Sequence, residues 1–157
     1  MRGIGDNVIT GASGFLLDVE SGSDVIALTF PPDTRWVRLA RLLTSGVAAQ
    51  AGFDVEEVED LKIAVDEICA TLIERSGDST PVRLGFRPSD GSVEVAIESA
   101  IASGAAESWT EERMKLSEQI LSVVVDECHS EVVNGLVRYR LVKAHLSEVA
   151  EGEADGG

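Results

Sequence analysis

Glu67 and Thr71 stand four residues apart in the stretch EVEDLKIAVDEICATLI (57–73). On a helix that spacing stacks a carboxylate one turn from a hydroxyl. Both lie off the apolar stripe of the stretch, which runs Val58, Leu61, Val65, Ile68 and Leu72. By residue type alone Glu67 is an ordinary exposed helix glutamate. A second chemical group is basic: Arg35, Arg38 and Arg41 supply three of only 13 Lys and Arg residues. On a chain of net charge −15 they read either as a solvated helix face or as an island fit to hold an acidic partner. Cys69 and Cys128 sit inside apolar patterns without Cys-x-x-Cys spacing, and His129 and His145 complete a poor metal set. The thiols read as small buried hydrophobes in a reducing compartment.

A chain of 157 residues has room for one domain with a real core. Its acidity argues against direct nucleic-acid binding, which needs basic surface to meet phosphate. No apolar run reaches membrane-spanning length, and the first residues lack the apolar core of a signal peptide. A cytoplasmic protein with no membrane contact is expected. Residues 1–22, rich in Gly and small polar side chains, read as a flexible arm, residues 23–146 as the folded domain, and residues 147–157 as an acidic flexible tail.

Val25 to Phe30 reads as a strand, stopped by Pro31-Pro32. Asp33 or Thr34 caps a helix reaching about Gln50, expected to bury Trp36, Leu39, Ala40, Leu43 and Val47. Gly52 ends that helix, and Asp54 caps the central one, which runs to about Ser76-Gly77. Three segments alternate strictly: Pro81–Arg87, Ser92–Glu98 and Leu136–Lys143, each apolar on one face and charged on the other. Asn134-Gly135 is a hairpin turn. Ser99 to Thr110 reads as a long loop or lid, and Glu111 to about Asp126 as a third helix carrying Met114, Leu116, Ile120, Val123 and Val124. One-sided strands need a cover on the apolar face, and only the helices can supply it. The expected fold is an α+β two-layer sandwich: a mixed five-stranded sheet with three helices on one face, and charged pairs across the other.

This order, with RLARLLTSGVAAQAGF (38–53), LKIAVDEICATLI (61–73) and VRYRLVK (137–143), resembles the Bergerat or GHKL ATP-binding fold. It is most similar to the RsbW-like anti-sigma-factor serine kinases of bacteria, actinobacterial in type, over roughly residues 24–145. The resemblance implies a central-helix Glu, acting as base or orienting group, and an Asn four residues on that ligates Mg²⁺. Glu67 matches the Glu; Thr71 stands at the Asn position, where its hydroxyl is a shorter Mg²⁺ ligand. The family's Asp-x-Gly-x-Gly box would fall on IESAIASG, with Glu98 or Ser99 at the Asp position and no glycine restoring the box in either register. Gly104 is the only glycine of the lid segment. ATP and Mg are therefore implied by resemblance and expected to bind weakly or not at all, because phosphoryl transfer depends on positioning both. Arg41, with Arg38 beside it, matches the arginine by which these proteins hold their partners. The implied function is a homodimeric anti-sigma factor that sequesters an alternative sigma factor and is released by an anti-anti-sigma antagonist of STAS type. The alternative is an active Mg-ATP-dependent serine kinase that phosphorylates this antagonist with Glu67 as base.

Overall fold

The computed structural model describes residues 24–76, 80–100 and 110–146. The expected arm (1–22), most of the lid segment (101–109) and the acidic tail (147–157) lie outside the described residues. The elements follow as β1 (Ile26–Phe30), a 3-10 turn (Thr34–Trp36), α1 (Val37–Gln50), α2 (Val55–Ser76), β2 (Val82–Ser89), β3 (Ser92–Ala100), α3 (Glu111–Val124), β4 (Glu127–Val133) and β5 (Leu136–Ala144). Local chemistry explains most boundaries. Asp33 accepts the Arg35 amide at the 3-10 turn, Thr110 accepts the Arg113 amide at the start of α3, and Gly52 takes φ +91 where α1 ends. Asn134 and Gly135 both adopt positive φ (51 and 82), the geometry of a two-residue type I′ hairpin.

The five strands form one sheet in the order β1-β2-β3-β5-β4, and every neighbouring pair is antiparallel. The expectation of a mixed sheet is corrected on this point. Two helices separate β1 from β2, so the chain reverses three times between them and β2 runs opposite to β1. One helix separates β3 from β4, which makes those two parallel, but β5 inserts between them and removes the parallel contact.

The alternation read from the strands is the one the sheet uses. Val82, Leu84 and Phe86, Val93, Val95 and Ile97, and Val137, Tyr139 and Leu141 all point into one core with Leu61, Val65, Ile68 and Leu72 of α2. The opposite face carries cross-strand ion pairs: Arg83–Glu98 at 3.4 Å, Arg87–Glu94 at 3.2 Å, and the Arg140–Glu94 and Arg138–Glu131 pairs. Lys143 ties the layers together, donating to Asp60 of α2 at 3.2 Å and to the Val124 carbonyl at the end of α3 at 2.9 Å.

The expected apolar faces of two helices hold only in part: Ala40, Val47 and Val124 are buried and Leu43 packs against the core, but other residues named for them are exposed. In α1 the buried set is Val37, Ala40, Thr44, Val47 and Ala48, while Leu39 is 38% exposed and Trp36, just before the helix, also 38%. Thr44 is accepted in the core because its hydroxyl donates to the Ala40 carbonyl at 2.7 Å. In α3 the buried residues are Ser117, Leu121 and Val124, and Met114, Leu116 and Val123 face outward. Each helix carries apolar residues on more than one side, so hydropathy alone offered competing stripes, and packing against α2 and the sheet chose between them.

Candidate functional site

The face of α2 that bears Glu67 and Thr71 meets the first turn of α3. Thr71 is fully buried, and its hydroxyl donates to a Glu67 carboxylate oxygen at 3.4 Å. The same Glu67 oxygen lies 3.8 Å from the Arg113 guanidinium, which also donates to Glu74 at 3.0 Å. The Glu67 side chain is only 14% exposed, so the expected solvent-facing glutamate is instead held under α3. Arg113 reaches α2 because the Thr110 hydroxyl accepts its amide at 3.2 Å and fixes the helix start. Neither Arg113 nor Glu74 is legible as a site residue in the sequence: the partners are 39 residues apart, and α3 has no motif that points across to α2.

Of the two residues offered for the Asp position, Ser99 lies on the helix-facing side of β3 and Glu98 does not. Ser99 shares its face with Ile97, and its hydroxyl donates to the Pro81 carbonyl at 3.0 Å. Glu98 is paired in register with Arg83 on the charged face and is fully buried there, apart from Glu67 and Thr71. The structure therefore brings Glu67 and Thr71 together and leaves Glu98 on the other side of the sheet.

A cavity of about 630 Å³ opens nearby, between α3 and the β4–β5 hairpin. Arg75, Ser117, Leu121, Cys128, Val137 and Tyr139 are among its walls; Glu67, Thr71 and Ser99 are not. Burial pushes the Tyr139 hydroxyl above its usual range, against a hydrogen bond from Arg75 that pulls the other way. Burial likewise pushes the Cys128 thiol up to about 11, and that of Cys69 higher still, which favours the protonated thiol at both.

A third cluster holds Asp54, Glu57 and His145, whose ligand-type atoms lie within 4.8 Å of one another. It is a clamp at the start of α2. Asp54 and Glu57 exchange side-chain bonds with each other's amides at 2.8 and 2.9 Å, and Glu57 also accepts from His145 Nδ1 at 2.6 Å and the Leu146 amide at 2.8 Å. Burial raises the Glu57 carboxyl, but the Asp54 and Leu146 amides and His145 outweigh it and hold it below its ordinary value.

The basic island lies elsewhere, on the outer side of α1. Arg38 is exposed, Arg35 pairs with Asp33 at 2.9 Å, and Arg41 lies 3.3 Å from Asp66 of α2 with both side chains 48% exposed. Among these arginines Trp36, Leu39 and Leu42 are exposed, Leu42 to 68%. The expected basic face is thus a mixed basic and apolar one, which monomeric surfaces seldom assemble without a partner.

The Histidine kinase-like ATPase domain model matches residues 30–112, more than half of the chain. The chain belongs to the histidine kinase-like ATPase domain family. Among curated proteins it is similar to the serine-protein kinase RsbW of Bacillus pumilus, 33% identical over 79 residues that cover 47% of this chain and 49% of that one. It is also similar to the RsbW of Listeria monocytogenes, 43% identical over 53 residues, 34% of each chain. The chain spans about half, or less, of the length of these curated relatives. A crystal structure of the RsbU and RsbW domains of a Mycobacterium tuberculosis protein superposes on 78% of this chain and 32% of its own, with a TM-score of 0.57 and 17% identity. That likeness shows the fold.

Membership in an ATPase domain family implies Mg²⁺ and ATP, and the α2 face tests the fit. A metal bound by Glu67 and Thr71 would meet a guanidinium already at Glu67 and a threonine with no exposed surface. Ser99, at the position the resemblance assigns to the adenine contact, is a neutral hydroxyl spent on the Pro81 carbonyl. Among the described residues, Glu67, Thr71 and Ser99 do not fit a magnesium nucleotide.

Proposed function

We propose that this chain is an anti-sigma factor. It binds an alternative sigma factor of RNA polymerase, covers the surfaces that sigma uses to reach the core enzyme, and is displaced by an anti-anti-sigma antagonist of STAS type. It acts by occlusion, as a cytoplasmic homodimer, without contacting nucleic acid or membrane. One observation carries the reading: the outer face of α1 presents Trp36, Leu39 and Leu42 among Arg38 and Arg41 on an otherwise acidic chain. Exposed apolar anchors ringed by arginines are what a protein interface of mixed chemistry requires. Similarity to the RsbW proteins supports it. Among the described residues no helix is long and apolar enough to cross a membrane.

A second reading, an Mg-ATP-dependent serine kinase acting on its antagonist with Glu67 as base, is favoured by the Glu67–Thr71 hydrogen bond at 3.4 Å. Against it, the Arg113 guanidinium at Glu67 and the buried Thr71 support a reading in which nucleotide binds weakly or not at all. The deciding experiment mixes the purified chain with each alternative sigma factor of the source organism on a sizing column. Co-elution with one of them is expected; separate elution from all of them overturns the reading. Transfer of labelled phosphate from ATP to a purified antagonist would establish the second.

A further inference from the structure

One part of the misfit at α2 is a fixed positive charge. Glu67, Thr71 and Glu74 follow one another at four and three residues along α2, so their side chains share a face of the helix. Arg113 is the cation that meets that face: 3.0 Å from a Glu74 oxygen and 3.8 Å from the Glu67 oxygen that also accepts from Thr71. The Arg113 side chain is 31% exposed and that of Glu67 14%, so the contact is partly withdrawn from water. A guanidinium keeps its charge at every accessible pH and spans two carboxylates with one planar fork.

We propose that Arg113 is a built-in counter-cation: it docks the first turn of α3 on α2 without any ligand and excludes a metal–nucleotide from Glu67. A divalent ion brought to the Glu67 carboxylate would stand within a few ångströms of the guanidinium, and like charges at that range repel. Metal entry therefore requires Arg113 to leave, and its departure strips Glu67 and Glu74 of a counter-charge. The docking is built into the chain, so α3 holds its place on α2 with or without nucleotide. The inference deepens the nucleotide half of the reading above and is independent of its sigma-binding half.

The test is thermal melting of the full chain, with and without millimolar MgCl₂ and ATP. Wild type is expected to melt within about 1 °C of its ligand-free value. Arg113→Gln is expected to gain a rise of about 2 °C, smaller than a fully fitted nucleotide site would give because Thr71 and Ser99 are unchanged. Adding Glu67→Gln to it should abolish the gain, and Arg113→Lys, which keeps the charge, should show none. Without nucleotide, amide exchange in the first turn of α3 should quicken at least tenfold in Arg113→Gln. Should Arg113→Gln fail to fold, Arg113→Met, which keeps the apolar stem and removes the charge, takes its place with the same expectation. A folded Arg113→Gln, or failing it Arg113→Met, with no Mg-ATP response overturns the proposal. So does a wild-type response that Arg113→Gln removes, because Arg113 would then be a phosphate ligand. Loss of sigma co-elution with these melting results intact would overturn only the anti-sigma reading.

Discussion

The outer face of α1 and the α2–α3 junction both carry arginines beside carboxylates, yet they differ in what is left over. At the junction Arg113, Glu67, Thr71 and Glu74 satisfy one another, and Glu67 and Thr71 are largely or wholly withdrawn from solvent. On α1 the Arg41–Asp66 pair is half exposed, and Trp36, Leu39 and Leu42 lie open around it. A surface ion pair contributes little, about 0–1 kcal/mol, so Arg41 is released to a partner at small cost. The exposed apolar side chains then provide the gain on association. The junction offers the reverse: a ligand there must break contacts that already exist. Residue types alone would rank the junction as the active centre; the leftover surface ranks α1 first.

Arg41→Glu should separate the two regions most strongly. Placing a like charge against an acidic partner is expected to weaken sigma binding by about 2–5 kcal/mol, while stability changes by about 0.5 kcal/mol or less. Titration calorimetry beside a melting curve reads both, and unchanged affinity would return α1 to the solvated-face reading.

Thr71→Asn comes next. It restores the family's metal-ligand type at a position with no exposed surface. Overpacking should cost about 1–3 kcal/mol, visible in a urea midpoint, without restoring nucleotide binding while Arg113 stays. A neutral effect on stability would mean that the junction is looser than its burial indicates.

Glu57 supplies a control in which a carboxylate is purely structural. Its folded pKa is lowered, so the unfolded chain takes up this proton first as pH falls. The stability it contributes is complete above the ordinary glutamate value of 4.5 and is lost as pH drops through the lower folded value. Glu57→Ala should cost about 1–2 kcal/mol at pH 7 and flatten that acid limb, with sigma binding unchanged. Melting curves between neutral pH and pH 3 test the slope; a wild-type limb surviving in the variant would assign it to other carboxylates.

The smallest effect belongs to Asp66→Asn. Stability should shift by about 0.5 kcal/mol or less, and association with an acidic partner should quicken modestly at low salt and lose that gain at high salt. A large loss of stability would show that the Arg41–Asp66 pair is structural and that α1 is not free to re-pair.

How far the fold was legible follows from which signals are local. Strand alternation, the Asn134-Gly135 turn, Gly52 and the Asp54–Glu57 start of α2 are written in neighbouring residues, and the structure uses them as read. The buried faces of α1 and α3 were legible only in part. Ala40 and Val47 are buried as expected and Trp36 and Leu39 are not; Thr44 and Ala48 are buried instead, because smaller residues permit close approach to α2 and the sheet. The candidate site divides the same way. Glu67 and Thr71 are visible as a pair because a helix relates positions four apart, whereas Arg113 answers them from another element.

By itself the sequence determined where strands and helices lie, which strand faces are apolar, the acidic surface with its basic island, and the family resemblance. These depend on periods of two and 3.6 residues and on turn chemistry, all set by covalent neighbours. The contacts between layers decided that β5 separates β3 from β4, that Leu39 and Leu42 of α1 stay exposed, and that Arg113 covers Glu67. Each of these is a contact between segments distant along the chain, chosen by how volumes and charges fit once the layers close, and no local pattern encodes that fit.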